Sequence, residues 1–161
     1  TFSEDGFLKT GDKGEIDEMG RLKLTGRIKE IFKTSKGKYI APAPIENRLM
    51  SHDAIEMVCV SGANQTQPHA LVLLGEEIRP KMADESFRKE IEESFRQLIA
   101  DVNKTVDPHE QLAFITAVNE EWSIENSFLT PTMKLKRNVV EDAYQDKVDN
   151  WYAQRRPVIW Q

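Results

Sequence analysis

The longest uninterrupted apolar run in this chain is five residues, Ala70-Leu71-Val72-Leu73-Leu74. That length suits one buried β-strand and falls far short of the ~20 residues a membrane-crossing helix needs. The chain must therefore build its core from short strands sealed by amphipathic helices. One helix is plain: Phe87, Ile91, Phe95, Leu98 and Val102 recur at spacings of three and four, with acidic residues near the start. Strands are expected at 56–60, 69–74 and 112–118. The turn signal Asp17-Glu18-Met19-Gly20 precedes Arg21-Leu22-Lys23-Leu24-Thr25 and predicts a β-hairpin. Ile28, Ile31 and Phe32 open a further short strand, and helices are expected near 44–50 and 139–152. These elements mix without a βαβαβ rhythm. The expected fold class is α+β, a small mixed β-sheet flanked by helices and preceded by the hairpin.

The 161 residues suit one domain, or one plus a short appendage. Lys and Arg number 22 against 27 Asp and Glu, a net charge of −5 that argues against a general nucleic-acid binder. The charge is segregated. Residues 27–38 carry +4 (Arg27, Lys29, Lys33, Lys36 and Lys38 against Glu30), and residues 131–137 carry +3, leaving −12 for the rest. Such patterning fits a local polyanion site as well as two solvated edges. The single cysteine, Cys59, cannot form an internal disulfide and reads as a small hydrophobe in a strand. No secretory leader precedes the fold and the first residue is Thr1, so a piece of a longer, cytoplasmic protein is expected.

Most self-contained chemistry is missing from the sequence. There is no phosphate loop, no dinucleotide fingerprint and no nucleophile elbow. His52, His69 and His109 are scattered and make no metal-ligand spacing, so no metal site is expected. Three stretches remain. In Gly6-Phe7-Leu8-Lys9-Thr10-Gly11-Asp12, a carboxylate on a tight turn could accept hydrogen bonds from a cis-diol; taken alone, it reads as a turn aspartate bonding its own backbone. Gly26 to Pro42 combines an Arg fork, a Gly-containing loop and several Lys, a set suited to phosphorylated ligands. Leu129-Thr130-Pro131-Thr132-Met133-Lys134-Leu135-Lys136-Arg137 places a lysine after a Pro-containing loop, where it could deliver a point charge or sit on a solvated basic turn.

Taken together and in this order, the three stretches resemble the acyl-CoA synthetases of the adenylate-forming superfamily, above all the long-chain fatty acid–CoA ligases. Tyr39-Ile40-Ala41-Pro42-Ala43-Pro44-Ile45-Glu46-Asn47 and Glu121-Trp122-Ser123-Ile124-Glu125-Asn126 extend the likeness along nearly the whole chain. The resemblance implies a two-step reaction. A fatty carboxylate attacks the α-phosphate of ATP-Mg²⁺ to give acyl-adenylate and pyrophosphate, and the CoA thiol then displaces AMP. It implies that residues 1–26 are the last strands of a large N-terminal part and residues 27–161 a small C-terminal lid that rotates between two poses.

Residue by residue, the resemblance gives Asp12 the ribose hydroxyls of ATP and AMP, and Arg27 the ribose and phosphate region. Lys29 takes the hinge position. Lys134 would bridge carboxylate and α-phosphate during adenylation, and Gly37 would line the passage for the CoA pantetheine arm. Mg²⁺ and the acyl chain would be held mainly by the N-terminal part, so the chain by itself is expected to be inactive. Its expected partners are that part, fatty acid, ATP and CoA, with peripheral membrane attachment of the longer protein left open. Three positions depart from the family pattern: Gly26 stands where Asp is common, Lys36 replaces the first of a Gly pair, and Ser127 a Gly. Two other readings stay open, a lid of another adenylate-forming ligase with a different carboxylate, and a non-catalytic binding module.

Overall fold

The computed structural model describes residues 2–161; Thr1, the first residue of the expected 1–26 segment, lies outside them. The chain opens with an exposed antiparallel hairpin, β1 (Asp12–Ile16) and β2 (Leu22–Arg27), closed by the Asp17–Gly20 turn. Asp17 fixes that turn by accepting from the Met19 and Arg21 N–H groups, both at 2.9 Å. A single 3-10 turn, Ile28–Glu30, follows where a strand was expected. It leads to the two-residue strands β3 (Phe32–Lys33) and β4 (Tyr39–Ile40).

Helix α1 (Pro42–Leu49) starts two residues earlier than its prolines imply, because both Pro42 and Pro44 fall in the first turn, where a missing N–H costs nothing. Strands β5 (Ile55–Ser61), β6 (His69–Leu74), β7 (Ile115–Val118) and β8 (Val158–Trp160) form one mixed sheet in that order. Only β5–β6 is antiparallel; β6–β7 and β7–β8 are parallel. The parallel pairs require crossovers, supplied by α2 (Glu85–Asn103) and α3 (Arg137–Gln154). A β6-α2-β7-α3-β8 rhythm therefore exists within the α+β fold, contrary to expectation. The sequence shows little of it, because β8 is three residues long directly behind Pro157 and nothing local marks β6 and β7 as parallel.

Side-chain alternation divides the core between the two faces of the sheet. Val58, Val60, Ala70, Val72, Ile115 and Ala117 pack beneath α1 and α2, with Phe95 fully buried. Cys59, Leu71, Leu73, Val118 and Ile159 pack beneath α3, through Val140, Tyr144 and Trp151. Helix α2 begins at Asp84, whose carboxylate accepts from the Phe87 N–H at 3.0 Å, a cap worth ~1 kcal/mol. The strand expected over 112–118 is shorter, Ile115–Val118; Leu112 and Phe114 are buried ahead of it, and the Phe114 carbonyl accepts from the Ala70 N–H at 3.1 Å where the pairing begins. Among the described residues, no helix is long and apolar enough to cross a membrane.

Two histidines are held neutral, His69 buried and His52 half-buried. Tyr152 donates its hydroxyl proton to the Gln67 carbonyl (2.5 Å), so His69 Nδ1 must donate to the Tyr152 oxygen (3.0 Å). Burial pushes His69 down to about 4 and also lowers His52, whose Nδ1 accepts from the Ala54 N–H. A group depressed in the fold contributes stability above its unfolded value and loses it as the pH falls. We expect roughly 3 kcal/mol to be lost through His69 between about pH 6.5 and pH 4. Urea melts of the chain across that range should show the loss, and His69→Gln should abolish most of it. An unchanged acid slope in the variant would contradict the assignment.

Candidate functional site

Lys134 sits at the tip of a tight reversal between β7 and α3. Leu129 and Leu135 pair as an isolated antiparallel bridge, Thr130 N–H donates to the Lys134 carbonyl at 2.8 Å, and Met133 N–H donates to the Thr130 carbonyl at 2.8 Å. Thr130 Oγ1 also accepts from the Lys134 N–H at 3.0 Å. Pro131 and left-handed Met133 (φ 60°) complete the reversal. The stem is anchored in the core. Trp122, 2% exposed, stacks on Phe128 and donates its indole N–H to the Tyr144 hydroxyl at 3.3 Å. The stretch before Lys134, polar in composition, thus carries the buried Trp122, Phe128 and Leu129 that hold the turn. The lysine itself is exposed, and among the described residues it has no ion-pair partner.

Asp12 and Arg27 are cross-strand partners on the hairpin, with Arg27 Nε 3.6 Å from Asp12 Oδ1. The structure brings these two sequence candidates together. The Arg27 side chain is largely open to solvent and that of Asp12 about one-third so, and Ile28 N–H bonds the Gly11 carbonyl at 2.9 Å, which ties the end of β2 to the Thr10-Gly11-Asp12 turn. Lys29 lies exposed in the middle of the Ile28–Glu30 turn, between this hairpin and the α/β body.

Gly37 occupies the exposed turn between β3 and β4. Its N–H donates to the Thr34 carbonyl at 3.0 Å, and its φ of 77° is one that L side chains rarely adopt. A Cβ there would meet only Lys33 Cε at 3.7 Å, so backbone conformation rather than crowding demands glycine. The loop is braced by the β5–β6 turn, through Ser35 N–H to the Gln65 carbonyl (2.9 Å) and Asn64 N–H to the Lys33 carbonyl (3.0 Å). Among the described residues, no hydrogen bond or ion pair joins Lys134 to Asp12, Arg27 or Gly37.

Arg137 departs from its place in the basic segment. Its guanidinium turns inward, donating to the Val60 carbonyl at 2.7 Å and pairing with Glu46 at 2.8 Å and Glu30 at 3.8 Å. Glu46 in turn accepts from the Val60 N–H at 2.8 Å, while burial pushes its carboxyl above its ordinary value. One residue thereby ties the first turn of α3 to β5, to α1 and to the turn that carries Lys29. Of the +3 segment, only Lys134 and Lys136 remain for an outside anion. Cys59 is buried and pushed up to about 12, chiefly by desolvation, which leaves it inert as a nucleophile.

The profile of the AMP-binding enzyme C-terminal domain family matches residues 29–156, from the Lys29 turn through α3 and stopping just short of β8. The chain belongs to that family. It is 33% identical, over 93% of its length, to human long-chain-fatty-acid–CoA ligase 1, and 31% identical, over 94%, to the Saccharomyces cerevisiae ligase of the same name. It is 30% identical, over 92%, to the Mycobacterium tuberculosis ligase FadD15. These matches span 23%, 24% and 27% of the relatives, so the chain corresponds to about a quarter of their length. Among solved structures, the adenylation domain of a Mycobacterium chelonae carboxylate reductase superposes with a TM-score of 0.76 at 22% identity, covering 94% of this chain and 24% of that one. An anthranilate CoA ligase superposes at 0.60 with 23% identity, covering 83% of this chain and 23% of that one. At those identities the likeness speaks for the fold alone.

Proposed function

We propose that the chain is the catalytic lid of an ATP-dependent long-chain fatty acyl-CoA synthetase, acting with a larger N-terminal part that holds ATP and the acyl chain. The observation that carries this reading is the exposed, unpaired ammonium of Lys134 on a core-anchored turn, in a family member whose relatives are long-chain-fatty-acid–CoA ligases. Two anions, a carboxylate and the α-phosphate, must meet in the first step. A fixed cation between them lowers the barrier by electrostatic stabilisation and by positioning. An ammonium already paired to a protein carboxylate would do neither.

The remaining residues take their places in that scheme. Asp12 accepts from the ribose hydroxyls and Arg27 meets the ribose and phosphate region, two contacts adjacent across one hairpin. The hairpin through Arg27, the last residue of β2, belongs with the N-terminal part, and the residues after it form the lid, with Lys29 as the pivot. After adenylation the lid turns and presents the Gly37 loop, whose absent side chain leaves room for a pantetheine arm, with Lys36 beside it for a CoA phosphate. A rigid lid on a hinge can serve both steps because each needs a different surface at one point. Mg²⁺ would arrive with ATP. Among the described residues the only close group of metal-ligating side chains is Asp107, His109 and Glu110, outside the Lys134 turn, and no step is routed through it.

Lys29→Pro in the longer protein tests the pivot. A proline there fixes φ and restrains Ile28 as well. It is expected to impair one half-reaction selectively, read as acyl-adenylate formation against thioester formation from supplied acyl-adenylate. Unchanged rates in both would remove Lys29 from the mechanism.

A further inference from the structure

The three parallel strands β6, β7 and β8 end together, and beyond their carboxyl ends lies a cavity of about 400 Å³. Leu74, Val118 and Trp160, the last residues of those strands, line it. Crevices outside the carboxyl ends of parallel strands are where open α/β sheets bind ligands. Lys134, Gly37, Asp12 and Arg27 are not among its walls.

The chemistry of the walls is specific. One side is apolar, with Met82 joining Leu74 and Trp160. The lining also carries two guanidiniums, Arg79 and Arg88, together with Asn119 and Gln161, and it includes no Asp or Glu side chain. Arg79 is already neutralised by Glu56 at 3.4 Å and Glu121 at 3.9 Å, yet its buried Nε has no partner among the described residues. Arg88 has no carboxylate partner among them. Its Nε and Nη2 both donate to the Met82 carbonyl, at 3.2 and 3.0 Å, which fixes the fork and leaves Nη1 free. The site therefore offers one oriented guanidinium that no Asp or Glu among the described residues pairs with, beside apolar side chains. A single charge fits a monoanion, since a dianion would be opposed by the two carboxylates behind Arg79.

We propose that this cavity binds a small monocarboxylate with an apolar tail, the carboxylate on Arg88 and the tail against Leu74, Met82 and Trp160. This is a second acid-binding site, separate from the adenylation chemistry and independent of the ligase reading.

Octanoate is the probe, titrated into the 161-residue chain carrying ¹³C-methyl methionine. The chain has five methionines, of which only Met82 lines the cavity, so the other four serve as internal references. The expected result is a saturable shift of the Met82 methyl alone, with a Kd on the order of 1 mM for a ligand this small. Acetate lacks the tail and octylamine the negative charge; neither should reproduce the shift. Arg88→Gln should weaken octanoate binding about tenfold, and Arg88→Lys, which keeps the charge, should stay within about threefold. Thermal melts confirm that both variants remain folded. The proposal is overturned by no saturable Met82 shift, by an equal response to octylamine, by unchanged affinity in folded Arg88→Gln, or by equal loss in both variants.

Discussion

Replacing Lys134 by alanine in the longer protein is expected to slow acyl-adenylate formation by roughly 10²–10³, the usual cost of losing one preorganised charge at a reacting centre. Thioester formation from supplied acyl-adenylate should be nearly unaffected, because in that pose the lysine faces away from the reactants. The exposed side chain makes the substitution easy to interpret. Lys134 is held through its backbone, by Thr130 and the Leu129–Leu135 bridge, and its ammonium packs against nothing that alanine would leave empty. Separate assays of the two half-reactions decide the matter. Equal loss in both would mean that Lys134 serves general binding and not the first step.

The second large effect is on stability. Arg137→Met removes the partner of a largely buried carboxylate and leaves Glu46 with the Val60 N–H as its donor and the Glu30 carboxylate opposing its charge. Breaking a buried pair from one side typically costs roughly 3–5 kcal/mol, more than the pair itself contributes. The loss should depend on pH in a diagnostic way. Burial already pushes Glu46 upward, and without the guanidinium it rises further, so the orphaned carboxyl takes up a proton in mild acid. The deficit relative to the parent should therefore shrink as the pH falls. Glu46→Gln in the Arg137→Met background should recover part of it at neutral pH. Urea melts of the four chains in this cycle measure the coupling; additive effects would show that the pair is not one unit.

What the sequence made legible follows from how local each signal is. Helix α2 was readable because its apolar stripe repeats over nineteen residues and starts on an aspartate cap. The strands β5 and β6 were readable as short, nearly continuous apolar runs. Strand β8 is not, since three residues behind a proline carry no periodicity, and without it the β7-α3-β8 crossover cannot be read; the parallel pairing of β6 with β7 has no local signal either. The candidate residues were found only through motifs, and none of Asp12, Arg27, Lys29, Gly37 or Lys134 declares itself by composition. The inward turn of Arg137 had no sequence signal at all. Its partners Glu30 and Glu46 are 107 and 91 positions away in the chain, so a basic run looked uniformly solvated. Arg88 and Arg79 were hidden for a similar reason, because tertiary packing alone places them beside the ends of three strands.

The proposed lid turns about Lys29 relative to the hairpin carrying Asp12 and Arg27. Glu18, at the hairpin tip, and Asp146, on the outer face of α3, are both exposed and suit spin labels introduced as Glu18→Cys and Asp146→Cys. The label-to-label distance in the longer protein should take one value with ATP and a non-reactive acid analogue, and a different one with an acyl-adenylate analogue and CoA. A single distance under both conditions, in protein that still completes both half-reactions, would contradict it.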